Sequence, residues 1–469
     1  ILNDRQQQKD DESILPKVGL EDIPLEMAYV APTERLESPL PLTSYAAGTN
    51  GLVYQQIILP LPELSEQQIN LLPIYSNCLT ELGAGDKDYL ATQLWQSQIC
   101  GGIHAYASAR GLPGNEQVLA GHLTLSAKGL ARNQSSLTEL MQGTLEQVRF
   151  DELPRIRELI AQTRARRESS VTGSGHSLAM TAASSGTSPG AKLAHQWGGL
   201  EGIRQIKQLD SSLANDQNLE ALAKQLAEIH QLILTAPREF LVVGEADKFA
   251  DYYQTIQQRF TGETNPAFTA FSQPELHQKV TELWKTSTQV NFCAKSYPTV
   301  AMSHPDAAAL TVLGGFLRNG YLHRAIREQG GAYGGGAGQD GNIAAFRFFS
   351  YRDPRIEATL NDFGQSLAWL QDEKHEWSQV EEAILGVVSS IDKPSSPAGE
   401  AKQTFHAELY GRSREVRSLF RNQVKAVTLA DLQRVATTYL IEDNASTAVI
   451  TNPDNAAVAE SLNLTSVTL

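Results

Sequence analysis

Arg327 to Gly341, REQGGAYGGGAGQDG, sets seven glycines around one arginine and one tyrosine. A guanidinium and a phenol both donate hydrogen bonds, so together they suit a peptide carbonyl or the oxyanion formed when such a carbonyl is attacked. Arg327 stands near the end of a helical stretch, YLHRAIREQ, and Tyr333 just beyond the glycine pair that ends it. Both side chains can point toward one cavity if the glycines let a ligand backbone approach closely. Gly330 and Gly331 therefore join Arg327 and Tyr333 as candidate substrate-binding positions, with a hairpin tip of no role as the competing reading.

Two other glycine patterns imitate known chemistry and fail on context. Gly336 to Gly341, GAGQDG, has the dinucleotide-binding spacing. That loop needs a strand before it and a helix after it to receive the pyrophosphate, and here a helix precedes and a strand follows. GTSPG at 186–190 matches the nucleophile elbow of serine hydrolases, but SLAMTAASS leads into Ser188 as a helix rather than a strand. The histidines form no local metal site, since the nearest two in sequence, His104 and His122, are eighteen residues apart. Cys78, Cys100 and Cys293 are odd in number and widely spaced, which excludes a simple disulfide framework and reads as buried thiols.

Positioning these residues requires elements, and the elements come twice. GLVYQQIILPLP reads as a strand; Ser65 and Gln68 in capping-box spacing open a helix with Ile69, Leu72, Leu79 and Leu82 on its apolar series. KDYLATQLWQSQIC is a second helix that runs into Gly101 and Gly102. An antiparallel pair, IHAYASARG with QVLAGHLTLSAKG, and the helix SSLTELMQGTLEQV follow. Farther along, STQVNFCAKSYP is a strand, and Leu310, Leu313 and Leu317 share a helix face that Gly320 ends. YLHRAIREQ then reaches Gly330 and Gly331, followed by the strand NIAAFRFFSYRD and the helix PRIEATLNDFGQSLAWLQ. The two glycine pairs lie 229 residues apart.

The economical explanation is two homologous α+β domains, each a largely antiparallel sheet layered with helices. The expected limits are a leading tail at 1–14, a first domain at 15–235 that includes the long helical tracts, and a second at 236–469 opened by the strand in TAPREFLVVGEA. Length supports at least two domains, and 41% hydrophobic with 20% charged residues is a globular composition. No stretch approaches eighteen consecutive apolar residues, which argues against a membrane protein. The net charge of −14 opposes nucleic-acid binding and favours basic partners. The one basic cluster, Arg155, Arg157, Arg164, Arg166 and Arg167, is interleaved with Glu158 and Glu168 and reads as a solvated helix face. Because the chain begins with Ile1, a fragment of a longer protein is expected.

GTNGLVYQQIILPLPEL, LTELGAGDKDY, QICGGIHAY, YLHRAIREQGGAYGGGAG and FRFFSYRDP, in this order over nearly the whole chain, resemble the C-terminal half of presequence-protease-like zinc metallopeptidases of the pitrilysin and insulinase superfamily. The resemblance implies four α+β domains per polypeptide, paired as two bowl-shaped halves around a chamber for unstructured peptides. It implies that zinc is bound by an H-x-x-E-H motif in the N-terminal half, which is absent from this chain, and that no metal binds here. ILNDRQQQKDDES would be the tail of the linker between halves. Carried onto this sequence, the family's substrate-contacting arginine is Arg327, and its tyrosine, a catalytic donor to the scissile carbonyl, is Tyr333. The implied partners are the N-terminal half and unstructured peptide substrates; the implied compartment is the cytoplasm or an organelle matrix. The isolated chain would be inactive. The alternative is a non-catalytic structural or processing-partner subunit of the same superfamily. The repeat also aligns His104 with Tyr333, which puts His104 at a chamber-facing, non-catalytic position.

Overall fold

The computed structural model describes residues 16–37, 40–261, 268–372 and 374–469; the expected leading tail at 1–14 lies outside the described residues. Two six-stranded sheets organise the chain. The first has the order β1 (Glu34–Leu36), β2 (Leu42–Ala46), β6 (Glu239–Gly244), β3 (Leu52–Pro60), β5 (Asn115–Leu130), β4 (Cys100–Leu112). The second has the order β12 (Thr465–Thr468), β7 (Thr281–Lys285), β11 (Ser446–Thr451), β8 (Phe292–Pro298), β10 (Ala345–Tyr351), β9 (Gly334–Asp340). Parallel pairs β2–β6 and β7–β11 occupy the same place in each sheet. From there each sheet continues antiparallel, through β6–β3–β5–β4 and through β11–β8–β10–β9. The written repeat is thus a repeat of topology, and the fold is α+β.

Helices α1 (Glu66–Glu81), α2 (Tyr89–Ile99), α3 (Gln134–Glu146), α4 (Leu153–Ser184), α5 (Pro189–Gly198), α6 (Leu200–Ser212), α7 (Asp216–Leu234) and α8 (Phe249–Arg259) fill the first part of the chain. The second part carries α9 (Ala307–Leu317), α10 (Glu357–Asp372), α11 (Trp377–Ile391), α12 (Pro397–Leu409), α13 (Arg414–Lys425) and α14 (Leu429–Tyr439). The capping box forms as its spacing requires: Gln68 N–H donates to Ser65 Oγ (3.3 Å) and Ser65 N–H donates to Gln68 Oε1 (3.0 Å), satisfying two of the orphan donors at the start of α1.

The apolar run IIL in β3 is buried on both faces, which is why it does not alternate. Ile57 and Leu59 enter the core with α1, α3 and α7, while Ile58, Tyr45, Leu241 and Val243 meet Ala398, Ala401 and Phe405 of α12. The second sheet mirrors this arrangement. One face packs on α9, α10, α11, α13 and α14, and the other, with Trp284, Phe292 and Ile450, packs on Leu178, Ala179, Ala182 and Ala183 of α4. Each part of the chain therefore lends a helix to the other's sheet.

Three sequence expectations change. The strand after TAPR, β6, does not open the second unit; it lies between β2 and β3, so the first sheet extends past the expected boundary at 235. Sheet membership is a long-range choice that local composition does not encode. Gly320 does not end a helix: α9 runs on as a π-helical stretch, Arg318–Gln329. Gly320 is needed because a Cβ there would fall 2.3 Å from the Trp369 ring. Gly334–Asp340, read as a loop, is the edge strand β9.

Candidate functional site

Arg327 lies in the last turn of the π-helical stretch, where Gly330 and Gly331 N–H groups both donate to its carbonyl. Gly331, at φ +80°, makes the left-handed reversal that turns the chain into β9. Tyr333 is then fixed by its backbone, whose N–H donates to Tyr351 O at 3.0 Å. Its side chain is 66% exposed, with the Arg327 guanidinium 5.9 Å from the ring centroid. Neither the guanidinium nor the phenol hydroxyl has a hydrogen bond or ion pair among the described residues. The structure thus brings Arg327 and Tyr333 together as two free donors. Of the glycines, Gly331 faces solvent, whereas Gly330 is buried and makes room for Arg355, whose Nη2 would sit 1.9 Å from a Cβ there.

The glycines of β9 have several jobs. A Cβ on Gly314 of α9 would fall 2.7 Å from Gly338 Cα and 2.8 Å from Ala337 O, so helix and strand meet backbone to backbone. Gly335 and Gly336 lie against Ile326 and Phe349. Only Gly334 and Gly338 would point a Cβ into open space, so clearance for a ligand accounts for part of the run.

Three neighbours escaped the sequence reading. Tyr351 meets the Tyr333 ring edge-on, with centroids 5.5 Å apart and planes at 86°. Arg352, at φ +50°, holds its guanidinium 5.3 Å from the Tyr351 ring and borders a cleft of about 560 Å³ with Thr172, Gln289 and Asn452. His176, just past a break in α4 at Ser174, stacks edge-on against Tyr351 at 4.7 Å. Burial lowers the His176 pKa, which favours the neutral ring. The turn that carries Tyr351 and Arg352 is anchored by Asp353, fully buried, whose carboxylate accepts from Arg355 N–H (2.9 Å) and Thr359 Oγ1 (2.7 Å). Asn291 and Asp353 exchange backbone hydrogen bonds at 2.8 and 2.9 Å. The signal for this turn was the SYRDP string itself; the positive φ and the reach of α4 left no local trace.

The rejected motifs stay rejected. Ser188 is fully buried and caps α5, its Oγ accepting from Ala191 N–H, with helix α4 rather than a strand before it. GAGQD lies within β9. Arg157, paired with Asp216, and Arg164, paired with Glu168 and Asp210, lie on a solvated face, but Arg155 does not: its side chain is only 10% exposed, pairs with Glu81 and Glu158 and lies over the Tyr89 ring, and burial lowers the pKa of Arg167. All three cysteines are free and buried. His104 is exposed on edge strand β4 opposite Ser126 and follows Gly102, as Tyr333 follows Gly331. Among the described residues no group of three or more histidine, cysteine or carboxylate side chains is placed to hold a metal. A guanidinium and a phenol do not fit a zinc ion either, so the Arg327 site does not carry one.

Two family models match the chain: one for a peptidase-associated region over residues 1–209 and one for the "PreP C-terminal domain" over residues 281–451. A presequence protease of mitochondria from Yarrowia lipolytica is 29% identical over 462 residues, which cover 96% of this chain and 46% of that protein. The chain matches the C-terminal half of presequence-protease-like peptidases. It spans a little under half the length of the curated relatives it matches. The fold agrees. A conserved protein from Enterococcus faecalis superposes with a TM-score of 0.65 at 14% identity, covering 88% of this chain and 96% of that one. Pitrilysin superposes at 0.60 and 13%, covering 92% of this chain and 45% of pitrilysin. Among the described residues no helix is long and apolar enough to cross a membrane.

Proposed function

We propose that this chain forms half of the chamber of a zinc-dependent oligopeptidase, with its two sheets as the third and fourth α+β domains. Arg327 holds a substrate carbonyl, and the Tyr333 hydroxyl donates to the scissile carbonyl oxygen as it becomes tetrahedral. Gly331 leaves room for the passing backbone. The observation that carries the reading is the pair of unpartnered donors on an anchored turn, the guanidinium 5.9 Å from the phenol ring, in a chain of this family. Preorganised donors are most useful where charge develops on an oxygen, because they need no rearrangement when it appears. Zinc and its H-x-x-E-H motif belong, in this proposal, to the N-terminal half of the same polypeptide; substrates are unstructured peptides, and the compartment is an organelle matrix. The chain alone is inactive because it supplies donors and no nucleophile. The test is cleavage of an unstructured basic peptide by the full-length protein carrying Arg327→Ala. A fall in kcat/KM of tenfold or more, about 1.4 kcal/mol, supports the assignment; a wild-type value overturns it.

A further inference from the structure

Four cations surround a second cavity, of about 640 Å³, where edge strand β4 faces α12 and α13: Arg110, Lys402, Arg412 and Arg417. None of the four is in an ion pair among the described residues. Arg110 lies over the Tyr410 ring (4.9 Å) and Lys402 over Tyr54 (5.0 Å). The Arg412 Nε is buried with no hydrogen-bond partner. Asp340, the carboxylate whose charge acts on Arg412, is already held by Arg347 at 2.9 Å and by Asn342. His406 adds no charge to offset: burial, with Arg110 and Lys402, lowers its pKa to about 4.

This arrangement is unusual in a chain of net charge −14. Cations gathered without counter-charges repel one another and lose solvation, a cost that an anionic ligand relieves. Burial and the nearby Arg110 lower the pKa of Arg412. Tyr106, Tyr410 and Phe420, with Met302 and Ile391, give the lining an aromatic and apolar share that suits an organic body more than a bare inorganic ion. Tyr106, Ser108 and Arg110 alternate along β4, which ends its sheet and among the described residues pairs only with β5, so an extended peptide can lie beside the cavity.

We propose that this cavity binds a carboxylate of a peptide, at its C-terminus or on an acidic side chain, as an anchor separate from Arg327 and Tyr333. The inference rests on the reading of the chain as a peptide-binding half. The test is fluorescence anisotropy of the purified chain with three N-terminally labelled peptides of one unstructured sequence: a neutral form with a C-terminal amide, a free C-terminal acid, and an amide form with one internal glutamate. At least one carboxylate form should bind about tenfold tighter than the neutral form, the worth of one charge-assisted hydrogen bond. The difference should shrink in high salt and vanish in Arg110→Gln and in Arg412→Gln. Neither side chain makes a hydrogen bond among the described residues that the substitution breaks, and a cooperative thermal melt of each variant shows that the fold is kept. Equal binding of all three peptides overturns the inference while leaving peptide binding intact. A difference that survives both substitutions overturns it as well, as does displacement by inorganic phosphate or pyrophosphate without any difference among the peptides. If no peptide binds, the peptide-binding reading fails and the inference falls with it.

Discussion

Replacing Tyr333 by phenylalanine isolates one atom. The hydroxyl has no partner among the described residues, and the side chain is 66% exposed, so its loss leaves no buried group unsatisfied. Phenylalanine keeps the ring that meets Tyr351 edge-on and lies beside Arg327, and it keeps the backbone N–H bond to Tyr351 O. Stability should therefore move by no more than about 0.5 kcal/mol. Any larger effect on turnover belongs to the missing donor. Loss of one donor to a developing oxyanion typically costs about 10²- to 10³-fold in kcat, about 2.7–4 kcal/mol. The assay is steady-state cleavage of an unstructured peptide by the full-length protein, with a thermal melt of the same sample. The expected result is a lowered kcat, a KM within a few-fold of wild type and an unchanged melt. An unchanged kcat would refute the oxyanion role. A lowered melting temperature would refute the premise that the hydroxyl is free.

Asp353→Ala should lower stability by about 3 kcal/mol in chemical denaturation, because the Thr359 hydroxyl and the Arg355 N–H lose a buried acceptor; a change below about 1 kcal/mol would contradict that accounting. Acid should also destabilise the chain. Burial lowers the pKa of His122, His195, His230 and His406 to about 4, below the unfolded value near 6.5. Between these values the unfolded chain binds more protons than the folded one, so stability is full above about pH 6.5 and falls toward pH 4. A melting temperature that stays flat from pH 7.5 to 5 would show that these rings titrate normally.

Periodicity and punctuation were legible wherever the cause was local. The glycine pairs at 101–102 and 330–331 marked the repeat because both end a helix and turn into an edge strand. Ser65 and Gln68 announced α1 because a capping box needs only its own four residues. The closeness of Arg327 and Tyr333 was legible because a helix end and a turn set their relation. What was lost was long-range. The membership of β6 depends on partners in β2 and β3 almost two hundred residues away. Gly320 looked like a stop because Trp369, the ring it accommodates, is remote in sequence. His176 reaches Tyr351 only because α4 crosses to the second sheet.

That crossing makes a prediction about the chain as a whole. If each sheet belonged to an independent domain, cutting the chain near 262–267 would give two folded pieces. In the structure it would instead uncover Tyr45, Ile58, Leu241 and Val243 where α12 lies, and Trp284, Phe292 and Ile450 where α4 lies. Burying one such side chain is worth about 1.5–3 kcal/mol, so each piece loses several kcal/mol, a large share of the roughly 5–15 kcal/mol that holds a domain together. Residues 16–261 and 268–469 should therefore aggregate or melt without cooperativity when expressed apart, and co-purify when expressed together. Two separate monomers, each with a sharp melt, would show that the exchanged helices are dispensable. The exchange also bears on the site. His176 sits against Tyr351 from a helix that begins in the other sheet's half, so the packing behind Tyr333 is complete only when both parts of the chain are present.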